Sequence, residues 1–553
     1  MKLEKFKQKD PKKIGITVFT VVCILLVAGV FFYTSFASFQ VQQEFNIIKG
    51  TVQDLGDVYF AYYLDDEITL NAPEKGSQYV FDQANSSCTN GASVRWNYEE
   101  WAAVVSNLNV TRTKCYLKFK TQYSESILNG TDPVLEEPLI AVTIEADGTV
   151  KRADLGTEWY NYENKQWANA IILTDESTNI NYQPGDTIPE SAIESYFVWI
   201  PRYRYQIFDN GNYTGLTSTE NAVQTIQIIF ENKDTPVSSG TSVGNWLTHP
   251  AFTAFNSNGM WVGKFEPSRN GGDSDNIRNG DAIQIKPNVS SWRNIQVANA
   301  FYTSYDYKRD LESHMMKNIE WGAVAYLQHS VYGSQASVRI NNNSDFITGY
   351  QANNEPTCGY TATNEECNRY CNDGTCNTAY PNSVLASTNG NISGIYDMSG
   401  GAWEYVMGIM LDQNGKPMSG RNSLYNSGFN GTFGCPTCDS DTSGLTSLTG
   451  GYDFPDKKYY DTYAYATVSE QYQRRILGDG TGEMGPFAQA TYLTQTRQIG
   501  SWHADDAWFV ASTNPWFTRG GGHTGGFYAG VFAFENDYGR LTTWLSFRVV
   551  LTP

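Results

Sequence analysis

The amino-acid sequence predicts a membrane-anchored chain carrying several all-β or irregular, aromatic-rich domains, and three observations lead there. At 553 residues it is too long for one ordinary hydrophobic core, and about 150 residues per domain implies roughly three or four units. Aromatic residues make up 14% of the chain, with 36 Tyr and 14 Trp, while charged residues are only 18%, which argues against disorder. An uncharged apolar run, IGITVFTVVCILLVAGVFFYTSF, occupies residues 14–36. As a helix it would be about 35 Å long, enough to cross a hydrocarbon core of roughly 30 Å.

Lysines at positions 2, 5, 7, 9, 12 and 13 all precede that run, so the positive-inside rule makes residues 1–13 a cytoplasmic tail and places everything after Ser38 outside. A cleaved signal peptide ending near Ser35-Phe36-Ala37 is the alternative, but its apolar core would be longer than usual. Both readings leave the bulk extracytoplasmic. After residue 37 the chain holds 33 basic and 56 acidic residues, a net charge of −23, which repels nucleic acid.

Cysteine usage fits an oxidising exterior. Apart from Cys23 in the apolar run there are eight, and an even number favours disulfides. Cys88 and Cys115 are expected to pair; Cys358, Cys367, Cys371 and Cys376 crowd into one Asn-rich insertion, and Cys435 and Cys438 form a tight C-x-x-C. Zinc ligation is the competing reading, weakened because no second C-x-x-C or closely spaced His pair completes a tetrahedral set. A redox role for Cys435 and Cys438 would need a βαβ context that their surroundings lack.

Residues 38–125 read as a membrane-proximal β-rich domain, with VYFAYYL, YVFDQ, SVRWN and CYLKFKTQ as short strands between Gly, Asn and Pro turns. Residues 126–136 read as a linker, and a second unit runs from 137 to 553. Within it FVWIPRYRYQIF (197–208) and GMWVGKFEPS (259–268) look strand-like. Ser313 to Val331 is the best helix candidate, because Met315, Ile319, Ala323 and Leu327 recur at helical spacing.

The C-terminal stretch, Arg519 to Leu551, mixes two characters. Phe547, Val549 and Leu551 alternate with Arg548 and Val550, the period of a half-buried strand, and Val531 and Ala533 alternate with Phe532 and Phe534. Between these frames, Gly522 to Tyr528 and Glu535 to Leu545 follow no period and read as displayed loops. Three formal motifs are discounted. Ser242 in Gly240-Thr-Ser-Val-Gly244 has neither the preceding strand nor the following helix of a nucleophile elbow. Gly480 to Gly485 matches G-x-G-x-x-G without a βαβ unit and reads as a turn. Asp505-Asp506 are adjacent, point in different directions, and read as solvated or calcium-binding rather than as a catalytic pair.

Three blocks together resemble the formylglycine-generating-enzyme, or sulfatase-modifying-factor, family. They are GNISGIYDMSGGAWEYVMG (390–408), HMMKNIEWGAVAYL (314–327), and RGG (519–521) with SFRVV (546–550). The resemblance implies an α+β, irregular, C-type-lectin-like domain over about residues 137–553, with Trp321 and Trp403 in its core. Family oxidases bind copper through cysteines six and eleven positions after the Arg of RGG, and this chain has Gly525 and Gly530 there. No thiolate follows Cys438, so the ligands for a soft copper ion are missing. Relatives that bind iron use a histidine cluster, whereas His249, His314, His329, His503 and His523 show no i, i+4 pair and read as packing or surface residues. The family's structural calcium would place Glu404 at a ligand position, but Gly401 stands where the family has Asn.

The C-terminal stretch also resembles the variable region of proteins diversified by retroelements, in an AGVF…SFRVVL-like frame. That resemblance implies variable positions at Gly522, His523, Thr524, Phe527, Tyr528, Asn536, Asp537, Tyr538, Arg540, Leu541, Thr542, Thr543 and Leu545, with Glu535 and Trp544 fixed. An ordinary paralogue with an undiversified loop is the alternative.

The expectation is therefore a surface receptor or adhesin that does no chemistry and binds a protein or glycan on another cell, phage or host surface. Tyr528, Tyr538 and Trp544 would serve as aromatic anchors, and His523, Asp537 and Arg540 as polar discriminators. Arg519, Trp403 and Glu404 would brace the loops. The alternatives are an extracytoplasmic enzyme related to the formylglycine-generating oxidases and a purely structural surface protein.

Overall fold

The computed structural model describes residues 129–553 apart from 208–225, 235–245, 273–274, 353–377, 419–426, 430–453, 466–475, 482–502, 504 and 525–528. Before them it describes 41–48, 59–60, 68–71, 79–81, 86–89, 91–97, 102–106 and 112–121. The apolar run 14–36, Ser242, Cys358, Cys367, Cys371, Cys376, Cys435, Cys438, Gly525, Phe527 and Tyr528 lie outside the described residues. Among the described residues no helix is long and apolar enough to cross a membrane. The chain divides into two compact units, Met1–Ser126 and Ile127–Pro553.

In the first unit Val41–Ile48 pairs antiparallel with Arg112–Thr121, which also carries Tyr79–Phe81 and Ser87–Cys88. Cys88 sits directly opposite Cys115 in that register, their Cα atoms 4.0 Å apart, and the two are disulfide-bonded. Ala102–Ser106 lies between Ile68–Asn71 and Ser93–Asn97 in a second small sheet.

The second unit is β-rich, and its described residues hold two α-helices, α1 (Val297–Tyr307) and α2 (Asn318–Gln328). The strands of its two larger sheets are β1 (Ile140–Ile144), β2 (Val150–Arg152), β3 (Asn169–Leu173), β4 (Thr187–Ile188), β5 (Ile193–Pro201), β6 (Gly259–Gly263), β7 (His314–Met315), β8 (Trp403–Met410), β9 (Asp461–Tyr463), β10 (Trp516–Arg519), β11 (Phe534–Asp537), β12 (Leu545–Phe547) and β13 (Val549–Leu551), and short strands such as Tyr203–Gln206 form smaller sheets beside them. Eight of them form an antiparallel sheet in the order β4-β2-β1-β3-β5-β6-β13-β7. Its middle strands are covered on both faces, so β3 and β5 read as apolar runs rather than as alternating patterns. Trp199 and Trp261 face each other across β5 and β6 with ring centroids 5.2 Å apart, anchoring one continuous core.

Three expectations need correcting. The segment read as a linker is bound to the second unit: Trp199 Nε1 donates to the Thr131 carbonyl at 3.0 Å, Trp261 Nε1 to the Val134 carbonyl at 2.7 Å, and Thr131 is 3% exposed. The acceptors are main-chain carbonyls, so the polar side chains that suggested a linker play no part in these two bonds. The helix expected over Ser313–Val331 is shorter, because His314 and Met315 pair with Val550 and Val549 as β7. Lys317 caps α2, with the Glu320 carboxylate accepting the Lys317 N–H at 2.8 Å, a capping-box arrangement. Finally, 547–551 is not half-buried: Arg548 and Val550 are as fully buried as Phe547, Val549 and Leu551.

The core also takes up ionisable side chains. His249 is enclosed by Tyr203, Tyr205, Phe252 and Tyr326, with centroids at 5.2, 5.3, 5.9 and 5.4 Å. Its Nδ1 accepts the Ala251 N–H at 3.3 Å, and burial pushes its pKa down to about 3. The unfolded chain takes up this proton near pH 6.5, so the His249 contribution is whole above that pH and is lost as pH falls toward 3. Between pH 7 and pH 4.5 a His249→Phe variant should lose about 2–3 kcal/mol less stability than the native protein. Urea unfolding at both pH values measures the difference, and equal losses would rule out a neutral buried imidazole.

Candidate functional site

A second sheet carries the displayed loops, with β8 at its centre. β8 pairs antiparallel with β10 and parallel with β9 and β12, and β10 carries β11 on its other edge. The chain then leaves β12 in this sheet and enters β13 in the eight-stranded sheet with only Arg548 between them. That residue is 0% exposed. Its Nε donates to Glu404 Oε2 at 2.9 Å, Nη1 to the Gly263 carbonyl at 2.7 Å, and Nη2 to the Tyr396 carbonyl at 3.0 Å and to Glu404 Oε1. One guanidinium thus ties β8, β6 and the 390–408 segment to the joint between the two sheets.

Two further buried carboxylates face this joint. Asp397 Oδ1 accepts from Asn341 Nδ2 and from the Gly349 N–H, both at 2.9 Å, and Glu266 Oε1 accepts the Ala402 N–H at 2.9 Å. Burial raises all three carboxyls, Glu404 to about 7, against the pull of Arg548. These groups fix the 341–349 and 400–402 backbones in place. The calcium reading of Glu404 does not fit: both oxygens are engaged by a guanidinium that would repel a cation, and Gly401 offers no side chain. Among the described residues no group of three or more His, Cys, Asp or Glu side chains converges as a metal site.

The first loop is closed at its neck by backbone bonds. Gly530 N–H donates to the Gly520 carbonyl at 3.0 Å, and so does Gly400 N–H at 3.0 Å, while His523 N–H donates to Gly401 at 2.7 Å. Gly521 turns there with φ of +79°, and a Cβ on it would lie 2.4 Å from Ala529 Cα, so only glycine fits. The second loop is held as firmly from outside. Val297 N–H donates to Gly539 at 3.2 Å, Asn294 N–H to Thr542 at 2.8 Å, Arg293 Nη1 to Thr543 at 2.7 Å and Trp403 N–H to Trp544 at 3.0 Å.

The two loops converge on residues that sequence reasoning missed. The His523 ring meets the Phe346 ring edge-on at 4.3 Å, and the Arg293 guanidinium lies 4.0 Å from the Phe346 centroid while holding Thr543. Phe346 has φ of +56°, a strained conformation for a bulky residue and one found at sites where the surroundings over-determine the backbone. Arg293 and Phe346 belong to no motif or period, so only the tertiary contacts identify them. Burial and the Arg293 charge push the His523 pKa down, which keeps the ring neutral at pH 7.

The predicted contact residues separate by exposure. Thr524, Arg540, Leu541, Thr543 and Trp544 are exposed, with Leu541 at 42% and Trp544 at 48%, while His523, Glu535, Asp537 and Tyr538 are half-buried. Gly522, Asn536, Thr542 and Leu545 are buried instead, and the reason is local in each case. Leu545 is in β12, Thr542 is pinned through its carbonyl, and Asn536 Nδ2 donates to the Phe509 carbonyl at 2.8 Å. A Cβ on Gly522 would lie 3.1 Å from Trp403 Cδ1. Asp537 also acts inward, its Oδ1 lying 2.6 Å from the Tyr405 hydroxyl and accepting the Gly539 N–H at 2.9 Å. Trp321 and Trp403 are core residues, 0% and 7% exposed.

Beneath the neck, Asp505 and Asp506 are 1% and 2% exposed, which corrects their reading as solvated residues. Asp505 Oδ2 accepts the Phe532 N–H at 2.9 Å, and a Cβ on Gly530 would fall 2.1 Å from the same oxygen. A carboxylate therefore fills the space beside the position where the resembled oxidases carry their second cysteine. Gly530→Cys should unfold or displace the neck, costing about 2–4 kcal/mol by overpacking and by stranding Asp505. Thermal unfolding measures the loss; an undiminished midpoint would mean that Asp505 moves freely. Of the five histidines, His249, His314 and His329 are buried, and the structure unexpectedly brings His329 and His503 together, their centroids 5.1 Å apart. No family model and no curated protein matches this chain.

Proposed function

We propose that this chain is a membrane-anchored surface protein whose C-type-lectin-like domain, of the formylglycine-generating-enzyme type, binds a protein or glycan ligand and does no chemistry. The observation that carries this reading is the pairing of a fixed backbone with bare side chains at 539–544. Four hydrogen bonds hold Gly539, Thr542, Thr543 and Trp544, yet Arg540, Leu541, Thr543 and Trp544 project into solvent. A large apolar side chain left exposed on a rigid frame loses little conformational entropy on binding and gains contact area. Leu541 and Trp544 are two such residues within four positions, beside the Arg540 guanidinium.

The retroelement reading extends this proposal. Variation is tolerated best at exposed side chains, so Thr524, Leu541 and Thr543 are the positions freest to change, whereas Arg540 lies 5.3 Å from the Tyr538 ring centroid and 3.8 Å from Asp537 Oδ2. Gly522, Asn536, Thr542 and Leu545 would be constrained by burial even if their codons were targeted. The N-terminal run 14–36 supplies the anchor, with residues 1–13 cytoplasmic and the bulk extracellular.

Screening the purified protein against glycan and cell-surface protein arrays tests the binding reading, with Thr524, Arg540, Leu541, Thr543 and Trp544 all changed to Ser as the control. Retention lost in that control supports it, and unchanged retention transfers the argument to a purely structural role. Stoichiometric tight binding of copper or iron would instead favour the oxidase-like alternative. The diversification claim is tested in the genome: a near-repeat of the segment encoding residues 519–551, differing mainly at adenines, should lie beside a reverse-transcriptase gene.

A further inference from the structure

Arg519 ends β10 and opens the turn into the first display loop, and its side chain is 0% exposed. The guanidinium carbon lies 5.7 Å from the Trp321 ring centroid and 5.7 Å from that of Phe534. Nε, Nη1 and Nη2 have no hydrogen-bond acceptor among the described residues. A guanidinium presents five N–H donors, and burying so many without acceptors is strongly unfavourable.

The surrounding groups are close enough to act on its charge, namely Asp479, Tyr463, Tyr326 and Asp505, but none reaches it directly. Three of the carboxylate oxygens already accept from other groups. Asp479 Oδ2 accepts from the Tyr463 hydroxyl at 2.8 Å, and Oδ1 accepts the Thr481 N–H at 2.8 Å. Asp505 Oδ2 accepts the Phe532 N–H at 2.9 Å. Gly480 stands beside the guanidinium with φ of +75°, and a Cβ there would lie 3.3 Å from Arg519 Nη2.

We infer that the Arg519 guanidinium is the anchor of a buried water site, in which a few ordered water molecules accept its N–H donors and pass hydrogen bonds on to the Asp479 and Asp505 carboxylates. Water suits both sides, since it accepts from the guanidinium and donates to the carboxylates. A small anion would satisfy Arg519 alone and would face two carboxylates of its own sign. The site lies under the Gly520–Gly530 neck, so the floor of the display loop is hydrated rather than clamped by a direct ion pair.

Crystals of the full chain, grown with and without bromide at high resolution, test this directly. The expected result is water density about 2.7–3.2 Å from Arg519 Nη1 and Nη2, and no anomalous bromide peak there. A bromide peak at the guanidinium would make it an anion site and overturn the inference. So would a carboxylate of Asp479 or Asp505 paired directly with Arg519, or a guanidinium surrounded by dry contacts.

Discussion

Arg548→Met should be among the most damaging single substitutions in the second unit, costing about 3–5 kcal/mol of stability in urea unfolding, because it leaves buried carboxylates without their cation. The side chain is 0% exposed and makes four hydrogen bonds, to Glu404, Gly263 and Tyr396. The loss should depend on pH in a defined sense. Burial raises Glu266, Asp397 and Glu404 above their unfolded values, so protonation favours the folded state at low pH, and this contribution disappears as pH rises through the raised pKa values. Removing the Arg548 charge raises them further, so the variant should recover part of its loss near pH 5 and be weakest above pH 7. Adding Glu404→Gln to Arg548→Met should restore some stability, because the pair is coupled. A variant as stable as the native protein at pH 7.5, or a double variant showing simple additivity, would contradict the shared role of the two residues.

Changing Trp544 to Ala should weaken binding of whichever glycan or protein the arrays identify by about 30-fold, equivalent to about 2 kcal/mol, and Leu541→Ala by somewhat less. Both substitutions should leave thermal stability nearly unchanged, since the side chains are 48% and 42% exposed. Leu545→Ala, two per cent exposed within β12, should behave in the opposite way, destabilising the fold by about 2–5 kcal/mol whatever it does to binding. Surface plasmon resonance beside differential scanning calorimetry separates the two classes. If Trp544→Ala reduced stability and binding in proportion, the indole would be part of the frame and the proposed contact surface would have to move.

Periodicity served well where an element meets its neighbours in one way only. The strand-like runs at 197–208 and 259–268 are strand only in part, over Ile193–Pro201 and Tyr203–Gln206 for the first and Gly259–Gly263 for the second, and α2 keeps the helical spacing of Ile319, Ala323 and Leu327. It failed where burial is complete. α1 escaped notice although Val297, Phe301, Ser304 and Tyr307 mark one buried side, because polar and aromatic residues alternate too densely for a clear stripe. Met315 continues the helical spacing of α2 but lies in β7, since pairing with Val549 outweighs one more helical turn. Arg548 looked like the solvent side of a strand because a charged residue is rarely buried without a partner, and its partner, Glu404, lies 144 residues earlier.

What the sequence by itself determined was composition-level and local: an apolar run of membrane-spanning length, an aromatic-rich β-dominated chain, and a C-terminal segment in which apolar frames flank unpatterned glycine and aromatic residues. Those features follow from the chain's own order and need no distant contact. Only the tertiary structure decided which loop residues face outward. Asn536, Thr542 and Leu545 sit among Arg540, Leu541 and Trp544 in sequence, yet the first three are buried and the others exposed. The deciding bonds come from Asn294, Val297, Arg293 and Trp403, far away in the chain. No local rule encodes them, because exposure in an irregular loop is set by what packs beneath it and not by a repeat of its own backbone.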